Sequence, residues 1–372
     1  MKILVANKMD WTHPEAGGVE VNLRETLSRL SDRGHEVHLL TSRYPDSDSQ
    51  EKLEGVNIHR YGLEGRTNEI TVLTAGQLYL SYLSWKLNPD VIYIVHSILG
   101  WFPLSRKPKV TAIHHIYEGS IFEQYSFPFN LAGYVAESLS LFFSRNRNTV
   151  SVSPSTTRKL VDRGFSREKI VEIINGVDTE SYTPGEESEV PKVLYLGRLE
   201  HNKGADELPE IYGRLEERLE EFTFEIAGFG SMEDEAEELA QRNEDVVFHG
   251  YVDEELKRQL LKESWVVISP SRIEGWGMAV SEANASGTPV VGFETDGLKD
   301  SIQDGETGYL VDPEEEESLE NFSERVVDLV DDDDLREEMS GKGREVAESQ
   351  DWDDAVDVLE ELFSKLGEDK EI

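Results

Sequence analysis

Residues 264–310 read SWVVISPSRIEGWGMAVSEANASGTPVVGFETDGLKDSIQDGETGYL, and this stretch decides the fold. Trp265 to Ile268 is a short apolar run rich in β-branched residues, which predicts a buried strand. Ser269 to Gly277 is polar and contains glycine, so it predicts a loop. Met278 to Ser286 has the composition of a helix, and Thr288 to Phe293 predicts the next strand. Strand, loop, helix and strand in this order indicate an α/β fold with a parallel sheet.

The turn between the first of these strands and the helix predicts a ligand site. Open α/β sheets bind ligands at the carboxyl ends of their strands, where a following helix presents unpaired backbone N–H groups. Such groups attract anions. We therefore expect a phosphate at Gly277, Met278 and Ala279.

Two carboxylates, Glu274 and Glu282, flank this turn eight positions apart. They cannot both bind phosphate, because like charges repel. A carboxylate can instead accept hydrogen bonds from the paired hydroxyls of a sugar or a ribose. A nucleotide sugar, with phosphates between two polyols, would satisfy the whole turn. The alternative is that both side chains are merely solvated, since the chain has 76 acidic residues.

The run EGWGMAVSE from Glu274 to Glu282 is followed by ANASGTPVV and, further on, by DGETGYLV from Asp304 to Val311. This pattern resembles the E-x7-E signature of the retaining GT-B glycosyltransferases of family 4. The resemblance covers nearly the whole chain and implies two Rossmann-like domains with parallel sheets facing a central cleft. It also implies that Glu274 binds sugar hydroxyls and stabilises an oxocarbenium-like transition state, while Glu282 binds the ribose diol.

The start of the chain repeats the strand, loop and helix order. Lys2 to Ala6 predicts a buried strand, a polar loop follows, and Val19 to Arg33 has apolar residues at helical spacing. Gly17 and Gly18 lie at the helix start, where the missing side chains let a substrate approach the backbone N–H groups. A glycine pair is also common in plain turns. Here it resembles the first glycine loop of the same family, which contacts donor phosphate or acceptor.

Two further buried-strand patterns end in His96 and His114. A histidine at the carboxyl end of a strand can reach the ligand-binding edge of the sheet, although a loop histidine with a local hydrogen bond is more common. The resemblance aligns His114 with a strand-end histidine near the sugar. We therefore predict that His114 is a catalytic residue.

The second domain begins with a strand pattern that runs into Arg198 and Lys203. A diphosphate leaving group carries several negative charges, and fixed cations can stabilise it in a chain without an evident metal site. Both residues match the Arg and Lys that the family uses for this purpose. Read alone, they are also consistent with solubilising charge.

Asp46 and Asp48 form a D-x-D pair, which in another class of glycosyltransferase binds a divalent metal. This pair lies in a Ser/Asp loop with no strand before it, so we do not expect a metal there.

The length of 372 residues suits two domains. We expect an amino-terminal Rossmann-like acceptor domain over 1–180, a polar linker over 181–191 and a nucleotide-sugar domain over 192–350. The family resemblance implies that a last amphipathic helix, 352–366, crosses back to the first domain. The absence of cysteine excludes disulfides and thiolate metal sites. The first apolar run is too short for a signal peptide, and we expect a cytoplasmic protein.

The net charge of −39 is unevenly distributed. Residues 1–180 have 20 basic and 21 acidic side chains, a net −1, whereas the remainder has 17 and 55, a net −38. Such an acidic surface repels nucleic acid and is typical of proteins that stay soluble in concentrated salt, which indicates a halophilic source.

Residues 101–170 are the exception, with 10 basic and 5 acidic side chains, and many aromatic residues lie between Ile116 and Asn148. Their irregular spacing favours core packing. The alternative is a peripheral contact with an anionic lipid or a membrane-bound acceptor at the inner face of the membrane.

These patterns together predict transfer of a hexose from a UDP- or GDP-sugar to a hydroxyl acceptor, such as a lipid-linked saccharide or a glycan. The resemblance implies retention of the anomeric configuration, and we expect no metal or other cofactor. Two alternatives stay open: an enzyme like sucrose synthase or a phosphorylase acting on a soluble sugar, and a non-catalytic scaffold that binds nucleotide sugar. A hydride-transferring enzyme is disfavoured, since no G-x-G-x-x-G follows the first strand.

Overall fold

The computed structural model describes residues 1–62, 75–98, 100–117 and 127–368. The chain divides into two compact units. The first comprises Met1–Asn175 together with the last helix, which begins at Trp352, and the second comprises Gly176–Asp351. Both units are built from helices and a sheet of parallel strands, with one antiparallel edge strand in the first unit, which confirms the predicted α/β fold.

The first unit contains eight strands in the order β3-β4-β2-β1-β5-β6-β7-β8. All neighbouring strands pair in parallel except β3, which lies antiparallel to β4 at the edge of the sheet. The strands are β1 (Lys2–Ala6), β2 (Glu36–Ser42), β3 (Gln50–Leu53), β4 (Val56–Tyr61), β5 (Val91–Val95), β6 (Lys109–Ile113), β7 (Asn148–Ser151) and β8 (Ile170–Glu172). The described helices are α1 (Gly18–Asp32), α2 (Gln77–Leu87), α3 (Phe129–Ser144), α4 (Pro154–Asp162) and the last helix, α12 (Trp352–Glu368).

The second unit has six parallel strands in the order β11-β10-β9-β12-β13-β14. They are β9 (Lys192–Leu196), β10 (Thr223–Ala227), β11 (Val246–Gly250), β12 (Val266–Ser269), β13 (Val290–Phe293) and β14 (Gly308–Val311). The helices are α5 (Leu208–Glu216), α6 (Glu233–Arg242), α7 (Glu254–Glu263), α8 (Met278–Ala285), α9 (Leu298–Ser301), α10 (Ser318–Asp331) and α11 (Asp333–Glu348).

Each sheet has one point where the strand order reverses. In the first sheet it lies between β1 and β5, and in the second between β9 and β12. Connections to the two central strands leave the sheet in opposite directions there, so a crevice forms at their carboxyl ends. The loops after β1, β5, β9 and β12 therefore contribute the side chains that matter most for function.

The boundary between the units lies between Asn175 and Gly176, ahead of the predicted linker at 181–191. Residues 176–191 belong to the second unit although they are polar and acidic. Val177 and Tyr182 are buried in its core beside Leu260 and Leu261. The backbone N–H of Val177 also donates to the carbonyl of Gln350, at 2.9 Å. Two apolar anchors thus outweigh the linker-like composition.

The last helix, α12, belongs to the first unit, where it packs on α1. Phe363 is fully buried and its ring contacts that of Tyr93, at 5.4 Å between centroids. Arg33 pairs with Asp353 at 2.8 Å and with Glu360 at 3.1 Å. An apolar contact and an ion-pair network therefore hold α12 to the first unit.

The expectation of core packing for the aromatic residues after Ile116 is wrong for those on α3 and for Phe127 just before it. Phe127, Phe129, Phe142 and Phe143 are each more than half exposed, because α3 buries mainly its Ser140 side. Phe122 and Tyr125 lie outside the described residues. Within the described ranges, no helix combines the length and the apolar character needed to cross a bilayer.

Candidate active site

The loops after β9 and β12 meet at the point where the second sheet reverses its strand order, and they bring Lys203 and Glu274 together. The Lys203 ammonium donates to Glu274 Oε1 at 2.5 Å and to the carbonyl of Ile273 at 3.3 Å. Ser271 Oγ lies 3.4 Å from the same carboxylate oxygen. Both charged side chains keep about a fifth of their surface exposed. The pair is therefore partly open to a ligand.

Backbone contacts fix the two loops against each other. The N–H groups of Arg272 and Ile273 both donate to the carbonyl of Asn202, at 3.1 and 3.2 Å. Gly204 has φ +70°, and a Cβ there would lie 2.0 Å from the carbonyl oxygen of Pro270. Only glycine allows this close approach. The backbone thus fixes the positions of the two loops that carry Lys203 and Glu274.

The connection from β13 to α9 supports the Glu274 loop from another side. Thr295 Oγ1 donates to the carbonyl of Ser271 at 2.9 Å. Gly297, at φ +85°, approaches so closely that a Cβ would lie 2.6 Å from the carbonyl oxygen of Glu274. Three connections of the sheet therefore position this one carboxylate.

Arg198 follows β9 and is half-buried. Its guanidinium lies over the ring of Phe229, 4.9 Å from the centroid, and 3.8 Å from the Glu200 carboxylate. The buried hydroxyl of Tyr195 donates to the backbone carbonyl of Arg198 at 2.7 Å. Burial, together with Glu274, raises the pKa of Tyr195, so this hydroxyl stays protonated. Arg198 is thereby held as a second fixed cation at the end of β9.

The amino terminus of α8 has neither a side-chain cap nor an acidic residue in its first turn. Gly277 precedes the helix in a left-handed conformation, φ +90° and ψ 68°. Met278 and Ala279 form the first turn and are partly exposed. Uncapped N–H groups and the positive end of the helix dipole favour an anion here.

Glu282 lies inside α8, is 7% exposed, and has a partner that the sequence analysis missed. Lys257 of α7 donates to Glu282 Oε1 and lies equally close to Glu254 Oε1, both at 2.8 Å. Burial acts to lower the pKa of Lys257, but Glu282 and Glu254 outweigh it, so the pKa lies above its usual value. Tyr182 completes the cluster by donating to Glu254 Oε2 at 2.7 Å. Glu282 is thus held as a paired carboxylate.

The glycine turn after β1 differs from the one after β12, because a carboxylate already occupies it. The N–H of Gly17 donates to Glu20 Oε2 at 3.0 Å. Asn7, also after β1, donates its side-chain amide to Glu20 Oε1 at 2.9 Å. Glu20 is 4% exposed. The first turn of α1, which begins at Gly18, is therefore capped by the protein itself.

His114 follows β6 in the first unit and is buried. Its Nε2 has no hydrogen-bond partner among the described residues. Burial lowers the pKa of His114 to about 4, so its imidazole is neutral at pH 7. His96, at the end of β5, also has an unpaired Nε2 within the described part, and burial followed by the charge of Arg147 lowers its pKa to about 4. Two neutral imidazoles thus end neighbouring strands.

The structure brings together the predicted residues Arg198, Lys203, Glu274 and Gly277 around the ends of β9 and β12. Glu282 lies one helix turn further, with Lys257. Gly17, Gly18 and His114 belong to the other unit. No sequence signal pointed to Lys257, which is 25 residues from its partner. Among the residues with described positions, no cluster of three or more His, Asp or Glu side chains has the arrangement of a metal site.

Sequence models of two protein families match the chain. The model described as Glycosyltransferase Family 4 matches residues 16–181, and the one described as Glycosyl transferases group 1 matches residues 178–346. Together they span residues 16–346 of the 372. The chain belongs to family 4 of the glycosyltransferases, which confirms the resemblance seen in the E-x7-E stretch.

Curated relatives are similar over most of their length. The chain is 28% identical to an uncharacterized glycosyltransferase of Methanocaldococcus jannaschii over 85% of this chain and 87% of the relative. It is 26% identical to a D-inositol 3-phosphate glycosyltransferase of Corynebacterium aurimucosum, over 94% of this chain and 91% of the relative. Both relatives are named as glycosyltransferases, and only the name of the second gives an acceptor.

Solved structures are similar in fold. A sucrose-phosphate synthase from Thermosynechococcus elongatus superimposes with a TM-score of 0.81 over 98% of both chains, at 19% identity. The Anabaena protein HepE, solved with UDP-glucose, gives a TM-score of 0.73 over 98% of this chain and all of that one, at 17% identity. These similarities show that the fold is that of the GT-B glycosyltransferases.

Proposed function

We propose that the protein transfers a hexose from a nucleotide sugar to a hydroxyl acceptor with retention of the anomeric configuration. The observation that carries this proposal is the pairing of Lys203 with Glu274, at 2.5 Å, beside the uncapped amino terminus of α8. The cation and the helix N–H groups suit the two phosphates of the diphosphate, and the carboxylate suits the sugar hydroxyls of the same donor molecule.

In this proposal the bond between the anomeric carbon and the diphosphate oxygen breaks as a bond to the acceptor oxygen forms on the same face. The hydroxyl proton of the acceptor passes to the departing diphosphate. Arg198, Lys203 and the first turn of α8 stabilise the charge that develops on that leaving group. Glu274 binds sugar hydroxyls and stabilises positive charge at the anomeric carbon. These fixed groups need no metal or other cofactor.

Glu282 binds the ribose diol of the nucleotide, and the hydrogen bond from Lys257 orients this carboxylate. The two hydroxyls of the diol can each donate a hydrogen bond to the carboxylate of Glu282. UDP is the first choice of nucleotide, because the similar HepE structure was solved with UDP-glucose. GDP is the second.

The first unit binds the acceptor in this proposal. The carboxylate of Glu20 already accepts a hydrogen bond from the N–H of Gly17, so a donor phosphate bound there would meet a negative charge at close range. We therefore assign Gly17 and Gly18 to the acceptor rather than to the donor. The neutral imidazole of His114 is suited to a hydrogen bond with a sugar hydroxyl, since its Nε2 is unpaired among the described residues.

The acceptor we favour is a lipid-linked saccharide at the inner face of the membrane, met by a cytoplasmic enzyme. Residues 101–170 supply the contact, because this part of an acidic chain is basic and exposes aromatic side chains. Enzymes of the sucrose-phosphate synthase type, which are similar in fold, represent the competing case of a soluble acceptor.

The test is a transfer assay with UDP- and GDP-hexoses, offered separately with lipid-linked and soluble acceptors and with or without EDTA. NMR of the first product formed gives its anomeric configuration. We expect one donor series, a retained configuration and no effect of EDTA. Glu274→Gln preserves size but removes the charge and is expected to abolish transfer. An inverted product, or full activity of Glu274→Gln, contradicts the mechanism. Preference for a soluble acceptor contradicts the acceptor assignment alone.

A further inference from the structure

Helices α2 and α3 expose large apolar side chains along one side each. On α2 these are Leu78, Tyr82 and Trp85, and Trp85 is 80% exposed. Their spacing of four and three residues places them on one face of the helix. On α3 the exposed residues Leu131, Val135, Leu139 and Phe142 follow the same rule. The opposite side of α3 is buried in the unit.

Residues 100–107 join these two faces into one surface. Gln77 of α2 donates to the carbonyl of Gly100 at 2.9 Å and accepts from the N–H of Phe102 at 2.8 Å. The N–H of Leu104 donates to Ser81 Oγ of α2 at 3.0 Å. On the other side, the ring of Phe102 contacts that of Phe143 of α3 at 6.1 Å. Leu104 itself is 86% exposed.

We call the exposed apolar side chains of α2, residues 100–107 and residues 127–143 the aromatic face. The charge around it is basic. The described residues of 75–117 and 127–147 contain six basic side chains, namely Lys86, Arg106, Lys107, Lys109, Arg145 and Arg147. They contain two acidic ones, Asp90 and Glu137, and Glu137 is fully buried. Among the described residues of these two ranges, basic side chains therefore outnumber acidic ones, although the net charge of the chain is −39.

We propose that the aromatic face docks on an anionic lipid bilayer. A contiguous exposed apolar patch marks an interaction surface. Aromatic side chains bordered by Lys and Arg fit the boundary between headgroups and acyl chains. Arg145 already lies over the ring of Phe142, 4.1 Å from its centroid, and Lys86 lies 5.8 Å from that of Tyr82. Cation and ring are therefore placed side by side, as binding to a lipid phosphate and its acyl chain requires.

A second copy of the chain is the weaker candidate for this surface. Pairing two aromatic faces would bring their basic residues together, and each copy also carries the same large negative charge. An anionic bilayer offers the opposite charge to the basic side chains. The surface extends the predicted region 101–170 to α2, which no sequence pattern had indicated. This inference rests on the membrane contact of the proposed function and deepens it. Its failure is distinguishable from failure of the transfer reaction, because bilayer binding is measured without donor or acceptor.

The test is flotation of the full chain with vesicles of phosphatidylglycerol or phosphatidylcholine at about 0.1 M and about 1 M salt, where the Debye length falls from roughly 10 Å to 3 Å. We expect binding to phosphatidylglycerol that weakens at high salt, and weaker binding to phosphatidylcholine. The triple variant Trp85→Ser, Leu104→Ser, Phe129→Ser removes three exposed side chains, so its folding is preserved. It is expected to bind about ten-fold less or weaker still.

The control Val161→Ser, Val358→Ser removes exposed apolar residues of the same unit and is expected to bind like wild type. A second measurement leaves the apolar surface in place and uses vesicles with brominated lipid. The lipid should quench the tryptophan fluorescence of wild type more than that of Trp85→Phe. Equal flotation of the triple variant and wild type overturns the proposal. So does a wild-type dimer that the triple variant dissociates, since a second copy would then cover the face.

Discussion

The glycine turn after β1 and the one after β12 occupy equivalent places in their sheets but differ in what fills them. Glu20 of the first turn accepts from Gly17 and Asn7, so the start of α1 is closed by the protein's own carboxylate. The start of α8 has no cap and no acidic residue in its first turn, although the chain has 76 of them. The difference teaches that a glycine before a helix indicates an anion site only where no side chain already uses its N–H groups.

The ionisable side chains at the strand ends near the two turns also differ, because the lysine and arginine of the second unit are charged and the histidines of the first are neutral. Lys203 and Arg198 lie at the end of β9, close to the open turn. At the strand ends of the first unit lie His96 and His114, which burial keeps neutral at pH 7. One edge is suited to an anionic ligand and the other to an uncharged polyol. This contrast between the two edges leads to the predictions below.

The largest expected effect is that of Lys203→Ala on catalysis. Removing one preorganised donor to a developing negative charge lowers kcat by about 10²–10³-fold. The control Lys262→Ala removes an exposed lysine of the same unit and should retain normal kcat. Steady-state kinetics of both variants give the comparison. A wild-type kcat in Lys203→Ala would show that Lys203 does not stabilise the departing diphosphate.

The second prediction concerns the neutral imidazole of His114. Its folded pKa is about 4 and its unfolded value 6.5, so below pH 6.5 the unfolded state binds a proton that the folded state does not. The free energy of unfolding therefore falls as the pH drops through this window, by about 3 kcal/mol for this group. Urea unfolding from pH 7 to 4 should show a smaller fall in His114→Gln than in wild type. Parallel curves for the two proteins would mean that His114 titrates normally.

The third prediction tests the closed turn through Glu20→Gln. Glutamine offers one acceptor oxygen where Gly17 and Asn7 both donate to the carboxylate, and the free energy of unfolding should fall by about 1–3 kcal/mol. The control Glu25→Gln breaks an ion pair with Arg29 on the same helix and should cost about 0.5 kcal/mol or less. Nucleotide binding should not change in either variant. Tighter nucleotide binding by Glu20→Gln would show that the turn is a donor site after all.

The smallest expected effect is on stability, when Gly277 and Gly17 are each replaced by alanine. Gly277→Ala forces alanine into the left-handed region, where its Cβ also lies 3.1 Å from Leu298, and should cost about 1–2 kcal/mol of unfolding free energy. Gly17 has an extended backbone, φ −140°, and nothing lies nearer than 4.0 Å to an added Cβ. Gly17→Ala should therefore stay within about 0.5 kcal/mol of wild type. Equal losses in thermal unfolding would contradict the contrast.

The sequence was sufficient for the strands and turns that local patterns encode. The β-branched run before Ser269 and the glycines after it predicted the turn at Gly277, because strand ends and helix starts depend on neighbouring residues. The cap of Glu20 on Gly17 also has a local signal, since the third helical position is where a capping glutamate is expected. That signal was present but was not used in the prediction.

Other features depend on the tertiary structure and have no local signal. Lys257 reaches Glu282 only because α7 and α8 pack together, and neither residue stands out by spacing. The aromatic residues of α3 could be buried or exposed for the same sequence, because burial depends on what covers a helix. Residues 181–191 were predicted as a linker from their polar composition, but Tyr182 packs into the core of the second unit. In each case long-range packing outweighed the local pattern.

The most direct test of the central assignment, the second unit as the nucleotide-sugar site, is calorimetric titration of UDP, GDP and their sugars into wild type and Glu282→Ala. Glu255→Ala, which removes an exposed glutamate of α7, serves as the control. We predict binding of one nucleotide series, unaffected by EDTA, and an affinity at least ten-fold lower in Glu282→Ala, since two hydroxyls lose a charged acceptor. Absence of nucleotide binding to the folded wild type, or equal affinity in Glu282→Ala, would contradict the assignment.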